Sequence, residues 1–242
     1  ATKARIICIE PVYMQYVQQG LFARLTRMLD LNPVCSYSSQ VPNQDLARRG
    51  SISGNFSTID LSDASDRVSL TLVKHMFWFV PEILGMILAC RSQRAQLPNG
   101  EIILLKKFAS MGSALTFPIE AMVFTTIVFI EWCRYHDLPI ARQSYCRMVG
   151  SVRVFGDDII VPTPLAHPVI QTLEKFGLRV NQDKTFLNSA FRESCGSEWY
   201  GGYDVSMVKM RRTLPTSRGH VDEIVALVAF RNLYCERYGK TK

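Results

Sequence analysis

Residues 152–162 set an acidic pair between two apolar runs: Val-Arg-Val-Phe, then Gly156-Asp157-Asp158, then Ile-Ile-Val-Pro. β-Branched and aromatic flanks around Gly-Asp-Asp predict a hairpin with its carboxylates at the tip. Gly156 supplies the backbone freedom of a tight turn, and both flanks are apolar enough to be buried strands. Adjacent carboxylates held rigidly at such a tip repel each other unless a cation lies between them. Hard oxygen ligands in a fixed position, with room for phosphates, are what a magnesium site for phosphoryl transfer requires. A solvated Gly-Asp turn is the plainer alternative, because Asp-rich turns are common.

Other side chains bear on the same chemistry. Residues 56–66 read as a short strand running into a helix start, with Asp60 at the strand's end, where a carboxylate can face a site. Asp63 and Asp66 fall where acidic residues are favoured as caps and against the helix dipole. Asp63 is read as a cap, and Asp66 stays open between cap and site. Residues 3–11 read as a strand with Lys3 and Arg5 on one face, suited either to a triphosphate or to guarding a sheet edge. Strand-like residues 178–181 deliver Lys184 to a turn, with a plain surface lysine as the alternative. Small residues in Ser110-Met111-Gly112-Ser113-Ala114-Leu115-Thr116 allow close approach to a ligand ahead of a long apolar helix. Equally, they suit an ordinary helix capped by Thr116.

The elements that must position these groups follow from periodicity. Helices are expected over 13–31 (apolar face Val17, Leu21, Leu25, Met28), from 63 towards 80, from 117 to about 135, over 167–176 and over 221–238, and 83–90 are a second apolar segment. Residues 32–53, with Pro33, Pro42 and Gly50, read as a loop-rich connection. Leu97-Pro98-Asn99-Gly100 is a turn before a strand at 101–108, and 191–202 suggest a tight hairpin.

The chain has 242 residues, 48% of them hydrophobic and 20% charged, enough for a proper core. Its formal net charge is +7, and Arg48-Arg49, Lys106-Lys107 and Arg211-Arg212 suit phosphate contacts without specifying them. Seven scattered cysteines, without Cys-x-x-Cys or Cys/His spacing, support neither a disulfide framework nor a zinc site and favour a reducing cytosol. No signal peptide is evident, and the apolar run 121–130 is about half a membrane span, so a buried helix is expected.

Taken in order, the motifs resemble the palm of a viral RNA-dependent RNA polymerase, with motifs F, A, B, C, D and E in sequence. More closely they resemble the replicase subunit of the single-stranded RNA bacteriophages, the leviviruses. The matching stretches are 3–11, 58–69, 110–117, 156–162, Lys184-Thr185-Phe186 and 191–196. The resemblance implies an α+β palm, a small antiparallel sheet backed by helices with part of the fingers. It also implies that 1–242 form one catalytic region of a longer replicase. Asp60, Asp157 and Asp158 would then hold two Mg²⁺ ions, with Mn²⁺ as a substitute. Lys184 would act as general acid, and Lys3 and Arg5 would neutralise the triphosphate. Asp66, Ser110, Gly112 and Thr116 would contact the nucleotide, with Asp66, Ser110 and Thr116 the candidates for reading the ribose 2′-hydroxyl. RNA template, nascent RNA and NTPs would be partners, as would the host translation elongation factors Tu and Ts, in the cytoplasm of an infected bacterium. The sequence departs from the pattern at Phe155 (Tyr is usual), at Ala114 (a second Gly is common) and at Glu120, where the wider class has Asn. A reverse transcriptase, or an inactive RNA-binding palm, are the competing readings.

Overall fold

The computed structural model describes residues 7–239, so Lys3 and Arg5 lie outside the described residues. The chain divides between Asp204 and Val205 into two compact units.

At the centre of the first unit is a three-stranded antiparallel sheet of β1 (Phe56–Ile59), β5 (Asp158–Pro162) and β4 (Arg153–Phe155), with β5 in the middle. Ile59 pairs with Ile159, and Phe155 with Asp158, so β4 and β5 are joined by the two-residue turn Gly156-Asp157. Alternation along β5 explains why its sequence is apolar on both sides. Ile159 and Val161 enter the main core, whereas Ile160 packs with Leu46 and Ala47 of α2 (Val41–Ser53) on the other face. Helices α6 (Thr116–Tyr135) and α8 (Thr163–Lys175) cover the first face and pack on each other. Helix α6 is long and apolar enough to cross a bilayer, but it buries residues along nearly its whole length and is a core helix, as expected.

Two glycines are dictated by space. Gly156 has φ +58°, the first-position requirement of a II′ hairpin turn, and an added Cβ would lie 2.3 Å from the Phe117 ring. That ring has little freedom, being packed edge-on against Tyr37 at 5.2 Å and Phe155 at 5.3 Å. Gly112 has φ +117°, and its Cβ would lie 2.0 Å from the carbonyl oxygen of Cys8. The Ser110–Thr116 loop is therefore clamped to the Ile7-Cys8 backbone, where Cys8 N donates to Met111 O at 2.8 Å. Within residues 3–11, the described pairing is the parallel bridge of Ile7 with Met111.

Several expectations are corrected. Residues 41–53 form helix α2 rather than loop: Pro42 sits in its first turn, and Gly50 lets Phe56 pack against it, since a Cβ there would meet Phe56 O at 2.8 Å. The helix expected from 63 to 80 is two, α3 (Ala64–Arg67) and α4 (Leu70–Phe77). Val68 is extended and Ser69 bridges Lys107, after which the Ser69 hydroxyl caps α4 by accepting from Leu72 N at 3.1 Å. Asp63 occupies the N-cap position of α3 but makes no side-chain cap bond. In α1 (Val12–Asp30) the buried stripe is Gln18, Leu21, Leu25 and Leu29, leaving Val17 and Met28 exposed. The capping role weighed for Thr116 does not hold. Its hydroxyl donates to Ser110 O at 2.7 Å, and no side chain caps α6. Helix α8 starts four residues before the expected 167, with a Pro in its first turn.

α5 (Pro81–Ala89) and a two-stranded ladder, β2 (Arg94–Gln96) with β3 (Ile102–Leu104), complete the middle of the unit. α7 (Arg142–Met148) precedes β4, and the 191–202 region is the hairpin β6 (Phe191–Ser194) and β7 (Ser197–Tyr200), extended by β8 (Tyr203–Asp204). Its Cys195-Gly196 turn has positive φ at both positions, as type I′ requires. The second unit contains helix α9 (Val221–Tyr238), which ends at Gly239 and has no buried residue.

Gly156→Ala should cost about 2–4 kcal/mol, combining left-handed strain with overpacking against Phe117. Gly150→Ala is the control: φ is +83° but nothing lies within 4 Å, so only about 1–2 kcal/mol of strain applies. Urea denaturation of both variants measures the difference.

Candidate active site

The sheet register brings the acidic motifs together. Asp60 directly follows the Ile59–Ile159 pair on one strand, and Asp158 directly precedes it on the other, with Asp157 in the turn beyond. Asp60 is further fixed by residues 180–187, which run beside the free edge of β1. Asn181 donates its backbone N–H to Asp60 O at 2.9 Å and its side-chain amide to Asp60 Oδ2 at 2.8 Å. Phe186 exchanges backbone bonds with Thr58, at 2.9 and 3.1 Å. That segment carries the short 3₁₀ turn Gln182–Lys184, and Lys184 Nζ donates to Glu193 Oε1 at 2.9 Å.

Electrostatics tie these groups into one cluster. Burial pushes the Asp60 carboxyl up, and the Asn181 bond opposes it; the charges of Asp157 and Glu193 push further up, while Lys184 counters them. Asp158 is pushed up to about 6, first by burial and then by Asp157. Its carboxyl also engages the β6–β7 turn, accepting from the Cys195 backbone N–H and from Ser194 Oγ at 3.3 Å. Among the described residues, no three His, Cys, Asp or Glu side chains converge closely enough to ligate one ion.

The remaining expected residues fall in two places. Ser110, Gly112 and Thr116 share the clamped loop before α6; Ser110 is 2% exposed, and its hydroxyl is buried without a partner. Gly112 makes its close approach to the Cys8 carbonyl. Asp66 is exposed on α3 and forms an ion pair with Lys107. The two places are linked by Glu120, one turn after Thr116 on α6. Glu120 is only 6% exposed, and its carboxyl is pushed up to about 8 by burial, then by Asp157 and Asp66.

Sequence reasoning did not assign Glu193, Asn181 or Lys107 to the site. Asn181 and Glu193 lay in stretches already singled out, 178–181 and 191–196, but which side chain each meets is set by tertiary packing: Asn181 reaches Asp60 across 121 residues, and Glu193 meets Lys184 only because β6 is folded back beside the 3₁₀ turn. Glu120 was visible only as a departure in type.

The fold is that of a viral RNA-polymerase palm. The RNA-dependent RNA polymerase of a human picorbirnavirus, solved as an insertion-loop deletion mutant, superposes with a TM-score of 0.64 at 15% identity, covering 94% of this chain and 50% of that one. More specifically, the family described as RNA replicase, beta-chain, matches residues 1–221, and the chain belongs to it. The RNA-directed RNA polymerase subunit beta of Enterobacteria phage SP is 36% identical over 214 residues, covering 87% of this chain and 34% of that protein. The beta chain of Escherichia phage MS2 is 35% identical over 233 residues, covering 94% of this chain and 38% of that protein. This chain therefore spans well under half the length of these relatives.

Because the fold prefers Glu120 protonated, it binds a proton there that the unfolded chain releases from about pH 4.5 upward. Stability from this group is complete below that value and is lost as pH rises through about 8, at about 1.4 kcal/mol per pH unit. Glu120→Gln should flatten this part of the pH–stability curve and be the more stable protein at pH 8. Chemical denaturation of both proteins across that range checks it.

Proposed function

We propose that this chain is the catalytic centre of a template-directed RNA polymerase that replicates a viral RNA genome in the cytoplasm of an infected bacterium. The observation carrying this reading is the meeting of Asp60 and Asp157 at one end of the central sheet, with Lys184 acting on the same cluster. The names of the relatives, RNA-directed RNA polymerases of RNA phages, support it.

The donor set fits magnesium. Asp60 and Asp158 are both raised chiefly by burial and further by the charge of Asp157, so the site carries negative potential that a hard cation would neutralise. Magnesium is typically held by one or two carboxylates, with waters and substrate phosphates filling the rest, so a full protein cage is not needed. Asp60 and Asp157 would be the principal ligands and Asp158 their neighbour. Two such ions, or Mn²⁺ in their place, would supply charge stabilisation for the attacking and leaving oxygens.

The chain's own residues do the rest. As the RNA 3′-oxygen bonds to the α-phosphorus, its proton passes to solvent and the bond to pyrophosphate breaks. The Lys184 ammonium gives a proton to that leaving oxygen. Lys3 and Arg5 offset triphosphate charge. Ser110, Gly112, Thr116 and Asp66 contact the nucleotide, with Asp66, Ser110 and Thr116 the candidates for the ribose 2′-hydroxyl, where a polar group left unpaired by a deoxyribonucleotide gives discrimination. Template RNA, nascent RNA and NTPs are the partners, joined by host elongation factors Tu and Ts by resemblance to the family.

Incorporation on a primed RNA template with Mg²⁺ or Mn²⁺ tests this. NTPs should be incorporated in preference to dNTPs, and Asp157→Ala or Asp60→Ala should abolish synthesis, a loss of at least about 10³-fold, while RNA binding persists. A preference for dNTPs would mark a reverse transcriptase. RNA binding without incorporation would mark an inactive palm.

A further inference from the structure

Lys184 has a partner that the proposed chemistry has not yet used. Its Nζ lies 2.9 Å from Glu193 Oε1, and the hydrogen bond to Glu193 is the first reason the ammonium is held above the ordinary lysine range. Lys184 N donates to Asn181 O at 3.2 Å, and Asn181 is bonded to the backbone and carboxyl of Asp60, so the pair sits beside the acidic cluster, where Asp60 and Asp158 act on the same ammonium.

The two partners are anchored very differently. Lys184 ends a three-residue 3₁₀ turn, and its side chain is 51% exposed. Glu193 stands on β6, whose preceding residue, Arg192, is fully buried and ties that strand to the palm. Arg192 donates from Nε to Phe56 O at 2.6 Å and from Nη2 to Leu187 O at 2.9 Å, with further bonds to the Phe191 and Ser189 carbonyls. The carboxylate is therefore placed by the rigid sheet, and the lysine by the carboxylate. A lysine is a compact charge on a flexible four-carbon stem, so without such a partner it samples many positions. Partly exposed ion pairs contribute little to stability, so the expected consequence of this one is orientation.

We propose that Glu193 is a positioning residue for the general acid, holding the Lys184 ammonium beside the acidic cluster ready to protonate the departing pyrophosphate. The inference rests on the polymerase reading above. Glu193 stays a carboxylate throughout; the proton leaves Lys184 for the pyrophosphate oxygen, and the neutral amine regains one from solvent.

The test is a double-mutant cycle in single-nucleotide incorporation on primed RNA, using Glu193→Ala, Lys184→Ala and the double variant, with Glu193→Gln as the milder change. Glu193→Ala should lower the maximal rate by about ten- to a hundredfold, the scale of a mispositioned catalytic group, with KM for the NTP within about twofold. Glu193→Gln keeps an acceptor oxygen and should fall between wild type and Glu193→Ala. In the Lys184→Ala background, removing Glu193 should cost nothing more, and the thermal midpoints of all variants should stay close to wild type. Losses that multiply in the double variant would overturn the proposal, as would a Glu193→Ala rate equal to wild type or a loss that follows unfolding. A wild type that incorporates nothing would instead overturn the polymerase reading itself, a distinguishable result.

Discussion

Like charges brought together in a half-buried place repel, and each loses hydration as well. Asp60, Asp157 and Asp158 stand in that position at the end of the central sheet, and burial and mutual charge push Asp60 and Asp158 towards their protonated forms. Such an arrangement persists only where the surrounding backbone has no easy way to relax. The strands β1, β5 and β4 provide this, being covered on both faces by apolar packing. The turn carrying Asp157 is pressed against the Phe117 ring, so it cannot swing away without disturbing the Tyr37–Phe117–Phe155 cluster. Stability is given up at the site and recovered in the core around it.

Irregular segments around the sheet are held by buried guanidinium groups. Arg192 fastens β6 to the carbonyls of Phe56 and Leu187. Arg153 on β4 reaches Asn43 Oδ1 and Ser36 Oγ, each at 3.1 Å, and also the Pro33 carbonyl. Arg91 gathers the carbonyls of Leu105, Lys107 and Phe108 ahead of the Ser110–Thr116 loop. Each gives hydrogen bonds to several oxygens of irregular backbone or of neighbouring side chains, and desolvation lowers the pKa of all three. Gln18 adds a neutral tie, donating to Cys90 O at 2.8 Å and accepting from Ser113 Oγ and Ala114 N at 3.1 Å. The Ser110–Thr116 loop and the β6 strand are thus fixed to the core by polar bonds as well as packing.

The legible parts were those with local causes. The Gly-Asp-Asp hairpin, the strand ending at Asp60, the 191–202 hairpin and helix α9 each follow from turn chemistry or periodicity confined to about a dozen residues. Helix α2 was hidden because Pro42 and Gly50 look like loop residues, whereas one begins the helix and the other admits Phe56. The break at Val68-Ser69 has its cause in Lys106–Phe108, about 40 residues away, where Leu70 N donates to Lys106 O and Phe108 N to Val68 O. Val17 and Met28 share an apolar face of α1, yet the core takes Gln18 and Leu29 instead, through contacts the helix alone does not specify. For the site, the residue types of Asp60, Asp157, Asp158 and Lys184 were legible. Their second partners, Asn181, Ser194 and Glu193, depend on tertiary proximity.

The central claim is that mutual repulsion at Asp60 and Asp157 is built to be neutralised by a divalent cation. The most direct measurement is the thermal midpoint of wild type and Asp157→Asn as Mg²⁺ or Mn²⁺ is added. Without divalent ions Asp157→Asn should be the more stable, since one of the repelling charges is gone. With added ions wild type should rise in a saturable way, while the variant stays flat. An equal rise in both proteins, or a variant no more stable than wild type in their absence, would contradict the account.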